Sequence, residues 1–293
     1  MANPSAKSGG IGVAHPWPHL CGIYKLMQTL TQKLANPTRF MSLSGRILPW
    51  ITVLAAMIIA VGLYMSFVAP PDYQQGQTVK IMYVHVPTAW LAMMAYGLIA
   101  VSSFGLLVFR HPLADVSAKA AAPIGAAFTL LSLVTGSLWG KPMWGTYWVW
   151  DARLTSMLIL FFMYLGLIAL RSSIEDESLA GKLTAVLGIV GVIILPIIKF
   201  SVVWWNTLHQ PASIMRAGGP SIDPSILRPL IVMAIGFTVL FFALHMQAMR
   251  NEILRRRVKA LQIAEVERAA RNEAERDAGG SGSAIPVQAE VVQ

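Results

Sequence analysis

One stretch concentrates more chemistry than any other in this 293-residue chain: Trp139-Gly140-Lys141-Pro142-Met143-Trp144-Gly145-Thr146-Tyr147-Trp148-Val149-Trp150-Asp151-Ala152-Arg153. Four Trp and one Tyr share it with a carboxylate and two cations. If the segment is helical, Trp144, Tyr147, Trp148 and Asp151 fall three, four and seven apart, on one face. If it is extended, Trp148 and Trp150 share a face. Either conformation makes a flat apolar platform with a charged edge. Two uses fit. Trp and Tyr gather where a membrane meets water because their rings are amphipathic, and a plate of indoles also suits a flat, rigid ligand.

The elements that must position this platform are membrane-like. Hydrophobic residues make up 55% of the chain and charged ones only 13%, so a water-exposed globular surface is not what this composition builds. Six apolar runs lie near Ile47–Ala69, Thr88–Phe109, Ala121–Leu138, Leu154–Leu170, Leu183–Trp204 and Leu227–Met249. Backbone in lipid must satisfy its own hydrogen bonds, so each run is expected to be an α-helix. Pro196 predicts a kink in the fifth, and Lys199, a turn further on, is placed to snorkel to the interface. The predicted fold class is an all-α integral membrane bundle of six transmembrane helices.

Cations set the expected orientation. With the N-terminus inside, seventeen Lys and Arg fall on inner segments, among them Arg39, Arg46, Arg110, Lys119, Arg171, Lys182 and eight in the tail. Six fall on outer segments: Lys80, Lys141, Arg153, Lys199, Arg216 and Arg228. The positive-inside rule then puts both termini in the cytoplasm. The net charge of +9 reads as this topology signal rather than a nucleic-acid footprint. Residues 1–46 are read as an N-terminal extension with a helix expected around Gly22–Leu34, and no signal-peptide cleavage pattern is apparent. Residues 47–249 form the membrane domain with the external segment 139–153, and 250–293 a basic tail that continues the sixth helix before a Gly/Ser linker near Gly279–Ser283. The tail's cations suit anionic lipid heads. Cys21 is the only cysteine, which excludes an intrachain disulfide and a thiolate cluster.

Topology sorts the six histidines. His15 and His19 fall in the leader, and His111 and His245 towards the inner side. His85 precedes the second helix and His209 follows the fifth, both on the outer side and near the depth of the Trp platform. A lone loop histidine is ordinarily solvated. Two at matched depth beside an aromatic plate suggest axial ligands to the iron of a flat macrocycle. Haem also carries two propionates, for which Arg153, Arg216 and Arg228 are the outer cations available. Burying a porphyrin face on Trp rings contributes several kcal/mol, at about 25 cal/mol per Å2.

Other functions lack their residues. The helix midplanes carry no Asp, Glu, Arg or His of the kind an ion-coupled transporter uses. No Walker loop, Ser–His–Asp set or metalloprotease motif occurs, so the chain is read as a binding protein and not an enzyme.

The segment Trp144–Thr155 closely resembles the tryptophan-rich "WWD" signature of the haem-handling proteins of cytochrome c maturation. The segments around His85 and Trp204–Gln210 resemble its CcmC branch in particular, and the likeness covers roughly residues 47–250 in three motifs in the right order. Tyr147 departs from the pattern, which has Trp there; the ring is kept and a hydroxyl added. The long leader is a second departure, onto which no function is carried. The resemblance implies haem b, transiently bound at the outer face of the bacterial inner membrane and presented to the haem chaperone CcmE. CcmD and the ABC transporter subunits CcmA and CcmB are the implied partners. Carried over residue by residue, His85 and His209 become axial ligands. Trp139, Trp144, Tyr147, Trp148 and Trp150 become the platform, and Asp151 and Arg153 shape its edge. The alternative expectation is a transporter carrying haem through its own bundle, and a further rival is a scaffold whose Trp stretch docks protein.

Overall fold

The computed structural model describes residues 36–280, apart from 206, 210–212 and 215–217. The leader with His15, His19 and Cys21, the outer cation Arg216 and residues beyond 280 lie outside the described residues.

The described chain is helical: α1 (Pro37–Val68), α2 (Met82–Phe109), α3 (Pro112–Trp144), α4 (Ala152–Ser173), α5 (Glu177–Val190), α6 (Ile194–Trp204) and α7 (Pro224–Gly280). Helices α5 and α6 join through a 3-10 turn at Gly191–Ile193 into one span, which gives six helices long and apolar enough to cross a membrane. The six-helix membrane fold expected from the apolar runs is therefore the one adopted. Phe67 is 80% exposed and Trp50 77%, as lipid-facing side chains should be once no core remains to bury them.

Local sequence sets the ends. Asn36 caps α1 by accepting from the backbone N–H groups of Thr38 and Arg39, and Pro37 takes the first helical position. The helix thus starts ten residues before the apolar run at Ile47, because capping rather than hydropathy decides where coiling begins. Between α2 and α3 the chain reverses in two residues, Arg110 being left-handed and His111 extended. The break in the fifth span sits just before Pro196. That proline has no N–H to give the carbonyl of Val192, and the backbone tightens there instead.

Tyrosines fill the middle of the bundle. Tyr164 donates its hydroxyl to the carbonyl of Ala92 at 2.7 Å and meets Tyr96 edge-on. Gly125 and Gly191 leave room for these rings: a Cβ at either would overlap Tyr164 or Tyr96. Leu91, Ala95, Ile99, Leu160, Ile194 and Phe241 close the core around them.

The end of the bundle from which the tail leaves is tied by charge. Asp115 on α3 takes both amino groups of Arg171 on α4, at 2.6 and 2.7 Å, and a further bond from Arg256 on α7. Glu252 on α7 accepts from Lys119, Arg255 and Arg256 at 2.7 to 2.9 Å, and Glu177 at the start of α5 accepts from Arg255. Lys119 and Arg171, counted from sequence among the inner-segment cations, lie within helices α3 and α4 and pair there with Glu252 and Asp115.

Candidate functional site at the tryptophan end

The opposite end of the bundle assembles the aromatic segment. Helix α3 carries Trp139 and Trp144 and stops at Gly145, whose φ of +76° is the left-handed C-cap that a Cβ would oppose. From there to Asp151 the chain is not helical. The single-face helical arrangement of Trp144, Tyr147, Trp148 and Asp151 does not form; the chain bends at 145–147, and Trp148 and Trp150 come together as the extended alternative expected. Trp148 and Trp150 lie together with ring centroids 5.4 Å apart, edge to face. The Thr146 hydroxyl sits between its neighbours, donating to the carbonyl of Trp148 at 3.2 Å. Trp150 is 75% exposed, whereas the indole N–H of Trp148 is buried without a partner among the described residues. Lys141 caps the turn by donating to the carbonyl of Gly145 and lies over the Tyr147 ring at 5.2 Å.

His85, in the first turn of α2, faces α3. Its Nδ1 is 3.0 Å from the carbonyl oxygen of Ser132 and 3.2 Å from the hydroxyl of Thr135. A carbonyl only accepts, so Nδ1 carries the proton and Nε2 keeps its lone pair. The ring stands edge-on to Trp139, 5.6 Å between centroids, and Trp139 in turn donates to Gln75 at 3.0 Å. Gly136 makes the space: a Cβ there would lie 2.9 Å from Cε1 of His85.

His209 comes from the loop after α6 and is oriented the same way by a different acceptor. Its Nδ1 is 2.9 Å from Oδ2 of Asp151, and its ring lies edge-on to Trp144 at 4.9 Å. Asp151 is buried and works with both oxygens, Oδ1 accepting from the backbone N–H of Leu154 at 2.7 Å to cap α4. Burial pulls the His209 imidazole below its ordinary pKa, and the Asp151 hydrogen bond and charge oppose this without cancelling it, so the ring is neutral at neutral pH.

The structure therefore brings His85 and His209 to one end of the bundle, each beside an indole of α3, on Trp139 and Trp144 five residues apart. Asp151 holds His209 rather than facing outward. Arg153 points to α6, with Nε 3.4 Å from the hydroxyl of Ser201, and lies within electrostatic reach of both histidines. Arg228 is exposed on the first turns of α7. Sequence reasoning missed Ser132, Thr135, Gly136 and Gln75. Nothing in their local pattern marks them, because each acts across 47 positions or more, Gly136 doing so by lacking a side chain.

Both imidazoles give their Nδ1–H to a fixed oxygen and leave Nε2 without a hydrogen-bond partner among the described residues, which is how metal-ligating histidines are oriented. Among the described residues no group of three or more His, Cys, Asp or Glu could hold a bare ion. Two imidazoles alone leave a tetrahedral site half empty, whereas a macrocycle brings four in-plane nitrogens and needs only axial partners.

Known proteins resemble this chain along most of its length. The family model described as "Heme exporter protein C" matches residues 30–264. A heme exporter protein C of Bradyrhizobium diazoefficiens is 65% identical over 237 residues, covering 81% of this chain and 90% of the relative. The heme exporter protein C of Escherichia coli K12 is 47% identical over 230 residues, covering 78% and 92%. A cytochrome c biosynthesis ccmC-like mitochondrial protein of Marchantia polymorpha is 47% identical over 215 residues, covering 72% and 91%.

Proposed function

The chain belongs to the haem exporter protein C family, and on that premise we propose that it holds haem b on the tryptophan end of its bundle and hands it to the chaperone CcmE. The family is one of haem handling in cytochrome c maturation, in a multi-pass membrane protein. The observation that carries the finer reading is the matched anchoring of two histidines. His85 donates Nδ1–H to Ser132 and His209 donates Nδ1–H to Asp151, which leaves two Nε2 lone pairs beside Trp139 and Trp144.

Each residue has a distinct task. His85 and His209 supply the axial nitrogens. Trp139, Trp144, Tyr147, Trp148 and Trp150 offer ring faces and edges to the porphyrin. The exposure of Trp150 suits a site that must release its cargo. Asp151 fixes the tautomer and direction of His209 and strengthens it as a donor to iron. Arg153 offsets charge where propionates would lie. A handover by ligand exchange follows, in which a base on the chaperone replaces one imidazole while the other keeps the iron in place. Transport of haem through the bundle itself finds no support in a core closed by Tyr96, Tyr164 and their neighbours.

The tryptophan end is assigned to the outer face of the bacterial inner membrane, both termini to the cytoplasm, and CcmD, CcmA and CcmB to the complex in which the chain acts. The support for orientation is the excess of cations at the tail end. The test is an absorption spectrum of the purified full chain with haem. His85→Ala and His209→Ala each remove the six-coordinate spectrum or the haem. His111→Ala and His245→Ala, at the other end, leave haem content per folded protein unchanged. Unaltered spectra in both outer variants would refute the ligand assignment.

A further inference from the structure

A second feature with the shape of a binding site lies at the other end of the bundle and takes no part in the haem reading. A cavity of about 530 Å3 opens between α2, α3, α4 and α5 beneath the start of the tail. Its lining joins the apolar side chains of Ile99, Leu106, Leu167 and Ile168 to the cations Lys119, Arg255 and Lys259. Ser103 lines it too, with a buried hydroxyl that has no partner among the described residues.

Three physical features point to one class of occupant. The first is charge. Around the mouth Lys119, Arg171, Arg255, Arg256 and Lys259 outnumber Asp115, Glu175, Glu177 and Glu252 by one. Lys259 is the least committed of the cations, half exposed and 3.7 Å from its nearest carboxylate. The surplus matches the single negative charge of a phosphodiester. The second is depth. Ile99 lies ten residues inside the end of α2 at Phe109, which is ~15 Å along a helix and about one leaflet of a ~30 Å hydrocarbon core. The third is the mixed lining, cations beside alkyl side chains, which is the pairing of chemistries that one phospholipid molecule carries.

We propose that this cavity binds an anionic phospholipid of the leaflet on the tail's side, its phosphate at Lys119 and Lys259 and one acyl chain along Leu106, Leu167, Ile168 and Ile99. The ion network keeps the mouth in place: carboxylates of α3, α5 and α7 hold the arginines apart from the entering headgroup. The bound lipid then joins α2, α4 and α7 across a gap that side chains leave unfilled.

The experiment uses the full chain in mild detergent, mixed with micelles of phosphatidylglycerol or phosphatidylethanolamine and read by native mass spectrometry. Retention of one phosphatidylglycerol per chain in preference to phosphatidylethanolamine is expected. Lys119→Gln with Lys259→Gln lowers that retention by roughly tenfold. Ala122→Leu, which adds apolar volume to the cavity wall without altering a charge, lowers it as well. Lys182→Gln, an exposed cation of α5 outside the cavity, leaves it unchanged. Equal retention of the two lipids, an equal loss in Lys182→Gln, or undiminished binding in Ala122→Leu would each overturn the proposal.

Discussion

The two ends of the bundle are held by opposite chemistry. At the tail end, carboxylates and guanidinium groups from α3, α4, α5 and α7 saturate one another, Asp115 alone taking bonds from two arginines. At the tryptophan end, rings meet edge-on, and the carboxylate of Asp151 accepts a hydrogen bond from the neutral ring of His209. Buried charge is costly to separate once paired, whereas edge-to-face ring contacts contribute about 0.5–1.5 kcal/mol each and tolerate rearrangement. Paired charge fastens the helices around the tail-end cavity, whereas the other end keeps the histidine nitrogens and ring faces that the proposed cargo would use. Holding the helices together and exchanging a cargo are thus assigned to separate depths.

Four substitutions break or sharpen that contrast, taken from the largest expected effect. Asp115→Ala leaves the buried Arg171 without its carboxylate, takes from Arg256 one of its partners, and should cost about 3–5 kcal/mol. A thermal melt of the detergent-solubilised protein reads it, and the protein that remains folded should bind haem with a wild-type spectrum. Asp151→Asn does the reverse. It keeps an oxygen to cap α4 but removes the charge behind His209, so stability stays near wild type while haem affinity falls roughly 10- to 100-fold; haem titration measures it. Gly136→Ala crowds the His85 ring at Cε1. A ring tilted away from Ser132 should weaken haem binding several-fold with a stability change within about 1 kcal/mol, and a shifted Soret band would accompany it. Glu177→Gln trims the partly exposed rim of the network, where an ion pair is worth only about 0–1 kcal/mol. A melt displaced as far as that of Asp115→Ala would show that the network is not graded from its buried centre outward.

Much of this was legible in the chain. Apolar runs separated by short polar segments give six spans because a lipid-facing helix must be apolar all round. Pro196 announced the break near Gly191–Ile193, and the alanine-bearing charged tail did continue the last helix. Spacing left the aromatic segment open between helix and strand, since its residues fit both periods. Gly145 rules out the helix, ending α3 after Trp144 and leaving Trp148 and Trp150 on a non-helical stretch. The placement of His85 and His209 at one end followed from counting helices, but their orienting partners did not. Ser132 and Asp151 reach them across 47 and 58 positions, and no local pattern encodes such a pairing. The same holds for Asp115 and Arg171, 56 positions apart, whose charges alone look like ordinary loop signals.

Helix α7 runs unbroken for 57 residues, with its two prolines, Pro224 and Pro229, in the first turns. At 1.5 Å per residue that is ~85 Å, nearly three times the thickness of a hydrocarbon core. A rod of that stiffness behaves as a lever arm. Whatever grips its free half and twists it applies torque directly to Glu252 and Arg256, and through Asp115 to α3, the helix whose far end carries both indoles that face the histidines.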